Sequence, residues 1–144
     1  MAISKISEYG GVIQGNFDDE EIITGISCSA VKAGHLCGLT DAGITDLVNT
    51  TSHDEFIGIC IEHHKMDMDT VIGAGKIVSI VVPQDGHLYA CICANLGSSL
   101  PGFSAGFGGT AGTLAAVAAI EGEHIARTYK YTSGDTAGIF VWGA

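Results

Sequence analysis

Basic residues are scarce in this sequence of 144 residues. Lysine and arginine number 6 against 16 aspartates and glutamates, which leaves a formal net charge of -10. Binding to a nucleic acid backbone depends on lysine and arginine side chains that neutralise phosphates, so this balance argues against a nucleic acid partner. The same negative charge argues against binding to an anionic membrane surface.

The sequence also lacks an apolar stretch long enough to cross a bilayer, and its N-terminus lacks the basic and apolar segments of a secretion signal. We therefore expect the protein to be made and folded in a cytoplasm. The five cysteines are odd in number, and each lies in or beside an apolar segment. This distribution favours buried free thiols over a disulfide framework.

No recognisable catalytic motif is present. His63, His64 and Asp67 are the densest group of potential metal ligands, but they lack a Cys-x-x-Cys or His-x-x-x-His spacing. His87 and Cys91 could form a base and a nucleophile on one strand, yet no third orienting residue accompanies them, which favours a packed thiol. The glycine-rich segment lacks the Lys-Ser or Lys-Thr of a phosphate-binding loop. We predict no catalytic, cofactor-binding or metal-binding residues and no enzymatic activity.

Glycine is abundant instead, with 21 residues, and short apolar runs rich in Val, Ile and Thr alternate with turn signals. The central pattern spans Gly75 to Ala94, where two apolar runs flank Pro83-Gln84-Asp85-Gly86, and it predicts a β-hairpin. Both runs are apolar on both faces, which places them in the middle of a small all-β domain. Further strands are predicted at 22–28, 35–39, 47–48, 56–61, 124–131 and 138–142. The alanine-rich residues 113–120 fit a short helix or a strand, and the neighbouring strands and the bracketing glycines favour a strand.

Two segments fall outside this pattern. Residues 1–20 carry scattered apolar side chains, three glycines and most of an acidic run, and they predict an extended N-terminal arm before a single β domain at 21–144. Residues 95–112 form a long glycine-rich loop whose apolar side chains indicate a surface that a partner covers; alternatively, its phenylalanines cap the protein's own core. The predicted interface residues are Tyr9, Val12, Ile13 and Phe17 in the arm and Leu100, Phe103 and Phe107 in the loop.

A weak internal repeat is also visible. An apolar strand at 56–61 precedes Gly75-Lys76 and a second strand, and an alternating strand at 124–131 precedes Gly134-Asp135 and a final strand. The repeat fits two similar half-sheets folded face to face, although chance similarity among β segments explains it equally well.

The run from Val31 to Gly43, followed by the strand Phe56–Ile61, resembles the head decoration proteins of tailed phages. The shared pattern is a lysine, any residue, a glycine, a short apolar strand and a turn glycine, then a second apolar strand with an internal glycine. The turn that begins at Gly134 is similar to the end of the same family. The sequence departs from the family at His35, where an aspartate is usual, and at Cys60, where a small residue is usual.

This resemblance implies a small β-barrel or β-tulip-like sandwich that forms a homotrimer on the outside of an icosahedral capsid. Such proteins cement neighbouring capsomers, contact the major capsid protein through their arms and have no catalytic residues. The long glycine-rich loop has no counterpart in the family. Two alternatives remain: another self-assembling shell, fibre or tail component, and a small metal-binding β-barrel enzyme that uses His63, His64 and Asp67.

Overall fold

The computed structural model describes residues 12–14, 21–40, 43–47, 56–61, 71–94, 96, 102–117, 124–132 and 134–143. Within these residues the chain forms eleven β-strands and no helix, and hence no helix that could cross a membrane. The strands are β1 (Val12–Gln14), β2 (Glu21–Ile26), β3 (Leu36–Thr40), β4 (Gly43–Leu47), β5 (Phe56–Ile61), β6 (Ile77–Val82), β7 (Leu88–Ile92), β8 (Ser104–Phe107), β9 (Leu114–Ala116), β10 (Ala126–Lys130) and β11 (Ala137–Trp142).

The strands form two antiparallel sheets. The first sheet has the order β1-β7-β11-β10-β8-β9, and the second has the order β2-β6-β5-β3-β4. The all-β prediction is therefore confirmed. The sheets are not closed into a barrel in the described part of the chain, so the sandwich is the form that the protein adopts.

The main core lies between the two sheets. Side chains alternate along each strand, so Tyr89 and Cys91 of β7 point into the core while Ala90 points to the opposite face. Tyr89 and Phe140 are the largest fully buried side chains. The buried residues of this cluster are Leu36, Ile59, Ile61, Val81, Tyr89, Cys91, Cys93, Leu96, Ala105, Leu114, Ala126, Tyr131, Phe140 and Trp142.

The second sheet is buried on its other face as well. Cys37, Cys60, Val78 and Ile80 pack there with residues from the segments that flank the sheet. Val31 and Ile72 come from two of those segments, and they form an isolated antiparallel bridge. Burial on both faces explains why β5 and β6 are apolar at nearly every position.

The two runs of the predicted central hairpin are both strands, but they do not pair with each other, so the hairpin prediction was wrong. Strand β6 pairs with β2 and β5, whereas β7 pairs with β1 and β11. The Gln84 N–H donates to the Tyr89 hydroxyl at 2.8 Å, and the Gly86 N–H donates to the Trp142 carbonyl at 2.9 Å. These bonds tie the turn to the first sheet, so it carries the chain from one sheet to the other.

The predicted loop at 95–112 also contains a strand that the sequence did not reveal. Strand β8 pairs with β10 on one side and β9 on the other, and Ser104, Ala105 and Gly106 are buried. Pairing on both sides makes this segment an interior strand of the sheet rather than a loop.

The turn before β3 connects the two sheets. The Gly34 N–H donates to the Cys60 carbonyl at 2.7 Å, and the Gly34 carbonyl accepts from the Ile92 N–H at 3.0 Å. Gly34 has a φ of 94°, which favours glycine. Within the turn, the Lys32 N–H donates to Nδ1 of His35 at 3.0 Å. Burial, with a smaller contribution from the Lys32 charge, lowers the pKa of His35 to about 4, so the ring stays neutral and keeps Nδ1 as an acceptor.

A buried tyrosine fixes the turn between β10 and β11. The Tyr131 hydroxyl donates to the Asp135 carbonyl at 2.8 Å and accepts from the Leu96 N–H at 3.0 Å. Leu96 belongs to the main core, so this one hydroxyl links the turn to the chain that follows β7.

Strands β10 and β11 are antiparallel neighbours, as are β5 and β6, which agrees with the internal repeat seen in the sequence.

Candidate assembly surface

Part of the predicted arm belongs to the first sheet. Strand β1 pairs with β7, with Val12 opposite Tyr89 and Gln14 opposite Leu88, and its register shifts between Val12 and Gln14. It therefore forms one edge of the sheet and covers the edge that β7 would otherwise expose. Val12 and Ile13 lie in β1, whereas Tyr9, Phe17 and Leu100 lie outside the described residues.

Phe103 is half-buried and fixed through its backbone. Its N–H donates to Oγ1 of Thr128 at 2.9 Å, and its carbonyl accepts from the Thr128 N–H at 2.9 Å. The preceding Gly102 donates its N–H to the Thr128 carbonyl at 2.7 Å, and its carbonyl accepts from Nη1 of Arg127 at 3.0 Å. This part of the loop is held against β10 at a defined position.

Phe107 packs against the protein's own aromatic core. Its ring meets Phe56 edge to face with centroids 5.2 Å apart, and Phe56 stacks on Trp142 at 5.9 Å. Trp142 in turn contacts Tyr89 edge to face at 6.1 Å. Phe107 is only half-buried, so it caps the core and keeps some exposed surface. Its contact with a second molecule stays a prediction, as it does for Phe103.

The pair of residues considered as a base and a nucleophile is not arranged for catalysis. The His87 ring stacks on Tyr89 with centroids 6.5 Å apart. Cys91 is fully buried, and this burial raises the pKa of its thiol well above the ordinary value, so the reactive thiolate is disfavoured. No group of three potential metal ligands occurs in the described residues, and His63, His64 and Asp67 lie outside them.

Sequence reasoning missed a group of exposed apolar side chains on β2 and β6. Ile26 and Ile77 lie opposite each other on β2 and β6, and they are 50% and 57% exposed. Ile22, also on β2, is 36% exposed. The sequence predicted a strand at this position, but it did not indicate which of its isoleucines remain exposed.

The fold is similar to that of a phage head protein. A structural comparison matches the chain to the head fibre gp8.5 N base of bacteriophage phi29, with a TM-score of 0.53 and 13% sequence identity. The match covers 86% of this chain and 94% of that chain. No family model matches the sequence, and no curated protein matches it.

At this level of identity the likeness concerns the fold. It extends over nearly the whole of both chains, so the two-sheet arrangement as a whole is shared rather than one pair of strands.

Proposed function

We propose that the protein is a structural component of a bacteriophage virion that binds the outer surface of the icosahedral head. The observation that supports this most strongly is the fold shared with a phi29 head fibre base over 86% of the chain. The sequence resemblance to head decoration proteins points to the same location independently, since it rests on short motifs rather than on the fold.

The proposed role is binding rather than catalysis. Many subunits, each adding a modest interface with the major capsid protein, would together strengthen the shell by cementing neighbouring capsomers. The acidic surface fits a protein whose partners are other proteins. The oligomer implied by the sequence resemblance is a homotrimer, and we retain it as part of the proposal.

The contact surface that we propose combines the arm and the phenylalanine loop. Strand β1 pairs with the edge of its own sheet, and strand addition is also a common way for an extended segment to bind a partner, so the rest of the arm is proposed to bind in this way. Phe103 and Phe107 are both half-buried, and the Phe103 backbone and the Phe107 ring are held in place, so little further ordering is needed when a partner covers them.

A second candidate is the base of a head fibre. The fold likeness to gp8.5 favours it specifically, because that protein is described as a fibre base. A cement protein and a fibre base both bind the head, but only the cement protein has to bridge capsomers and raise the stability of the shell.

The experiment uses heads purified without this protein. Purified protein is mixed with them, pelleted and quantified, and the temperature at which the heads release their DNA is measured. Saturable binding with a raised release temperature supports cementing, and saturable binding with no change supports the fibre base. An absence of co-pelleting contradicts both. A variant that lacks residues 1–11 keeps β1 and tests the arm: we expect an unchanged thermal transition and weaker binding.

A further inference from the structure

Within the described residues, the outer edge of β2 has no strand paired with it. Ser27 pairs with a bulge on the opposite strand, because its N–H donates to the Lys76 carbonyl at 2.8 Å and its carbonyl accepts from the Gly75 N–H at 2.8 Å. Gly75 has the φ of 84° that this bulge requires. Bonded and non-bonded pairs alternate from there, so the N–H and carbonyl groups of Ile22, Thr24 and Ile26 point away from β6.

These outward groups are accessible. Ile22, Thr24 and Ile26 are all exposed. Strand β4, at the other edge of the sheet, approaches β2 to within 8 Å between Cα atoms but forms no ladder with it in the described residues. An exposed strand edge with apolar side chains is a template for pairing with another strand, and proteins normally protect such edges with charges or prolines inside the strand. Strand β2 has neither between Ile22 and Ile26.

The charges at the two ends of this edge have opposite signs. Glu21, exposed, begins β2 and ends the acidic run Asp18-Asp19-Glu20-Glu21. Lys76, also exposed, lies beside Ser27 at the other end. Two copies of the edge placed antiparallel would set each acidic end against the basic end of the other copy. A parallel arrangement would set like charges together, so the charges favour the antiparallel one.

We propose that β2 pairs antiparallel with β2 of a second copy of the chain around a two-fold axis. Because only Ile22, Thr24 and Ile26 present outward backbone groups, the pairing places Thr24 on the axis and Ile22 opposite Ile26 of the other copy. The exposed isoleucines of both copies then share one face of a continuous ten-stranded sheet. This contact is independent of capsid binding, and it joins two subunits or two trimers.

The first test compares particle masses by sedimentation equilibrium over a dilution series, without capsids. Ile26→Lys places a charge in the edge, and Tyr129→Lys is the matched control, because Tyr129 is 53% exposed on the first sheet. We expect the wild type and Tyr129→Lys to reach twice the mass of Ile26→Lys. Equal masses for all three proteins, or a ratio other than two, overturn the proposal.

Two charge reversals at exposed positions keep the proposal testable if Ile26→Lys fails to fold. Glu21→Lys lowers the net negative charge of the chain, so if only the repulsion between acidic copies mattered, it would strengthen self-association. Edge pairing predicts instead that Glu21→Lys and Lys76→Glu each weaken association roughly two- to fivefold, and that the double variant regains it. Stronger association of Glu21→Lys, or no recovery in the double variant, contradicts the pairing.

A cysteine substitution tests the two-fold axis. Bonded antiparallel pairs have Cα atoms about 5.5 Å apart, within the range of a disulfide, so Thr24→Cys should cross-link to itself on mild oxidation. Ile22→Cys is the matched control, because its two copies would lie about 13 Å apart, which is four residues along a strand. Cross-linking of the wild type is subtracted as the background from the five native thiols. Equal cross-linking of both variants, or none above wild type, refutes the proposed register.

Discussion

Replacing Tyr131 with phenylalanine removes one hydroxyl that serves two backbone groups in different parts of the chain. The Leu96 N–H loses its acceptor at 3.0 Å, and the Asp135 carbonyl loses its donor at 2.8 Å. Leu96 is 5% exposed, so water does not readily replace the acceptor. An unsatisfied buried donor costs about 1–3 kcal/mol, and the second lost bond adds about 0.5–1.5 kcal/mol. We expect a total loss of about 1.5–4.5 kcal/mol in the free energy of unfolding.

The assay is equilibrium unfolding in urea, with the free energy and its slope both fitted. Tyr129→Phe is the matched control, because Tyr129 lies two residues away and is 53% exposed. Its loss should stay within about 0.5 kcal/mol. Equal losses for the two variants would refute the reasoning, since they would show that the Tyr131 hydroxyl is no more important than an exposed one.

Three more experiments test the surroundings of Gly58, His35 and the cysteines. In Gly58→Ala the new Cβ would meet the Val81 carbonyl and lie 2.7 Å from Cγ2 of Ile80, so thermal unfolding should show a loss of about 1–3 kcal/mol in the free energy of unfolding. Gly73→Ala is the control: Gly73 has open space around it, so its substitution should be nearly neutral. The pKa of His35 is about 4, below its ordinary 6.5, so the contribution of neutral His35 to the free energy of unfolding is complete above pH 6.5 and is lost as the pH falls toward 4. In His35→Asn, unfolding measured at several pH values should show a smaller decrease in this free energy between pH 6.5 and 4. A thiol reagent should label half-buried Cys28 rapidly in the native protein and the other four cysteines only on unfolding, and rapid native labelling of several thiols would contradict their burial.

The sequence predicted individual strands well where β-branched residues cluster. The strand at 56–61 has the same bounds in the structure, and the strands near residues 22, 36, 126 and 138 are displaced by only one or two residues. Strand formation there depends on local side-chain patterns, which a sequence displays directly. The leaning toward a strand within 113–120 is confirmed by β9.

Strand partners could not be predicted in the same way. Pro83-Gln84-Asp85-Gly86 has the composition of a hairpin turn, but composition does not say whether the next strand folds back beside β6 or crosses to another sheet. The choice depends on distant residues, because β7 pairs with β11 and with β1, about fifty residues later and seventy-five residues earlier in the chain. Strand β8 was missed for a different reason: Ser104, Ala105 and Gly106 have low strand propensity, and packing between two strands determines their conformation.

The candidate surface was only partly accessible to sequence reasoning. Phe107 was recognised as unusual, but its contact with Phe56 joins residues about fifty positions apart and has no local signature. The exposed isoleucines of β2 were missed for a different reason. The apolar run Ile22-Ile23-Thr24-Gly25-Ile26 predicts a strand, and only the structure shows that Ile22 and Ile26 remain exposed on it.

Location of the protein on the virion tests the proposed function most directly. Cryo-electron microscopy of particles assembled with and without the gene for this chain gives a difference map of the head. We expect added density on the outer surface of the capsid shell, with a size and shape that accommodate the two-sheet sandwich. Difference density inside the shell or at the tail, or no difference between the particles, would contradict the proposal that the protein binds the exterior of the head.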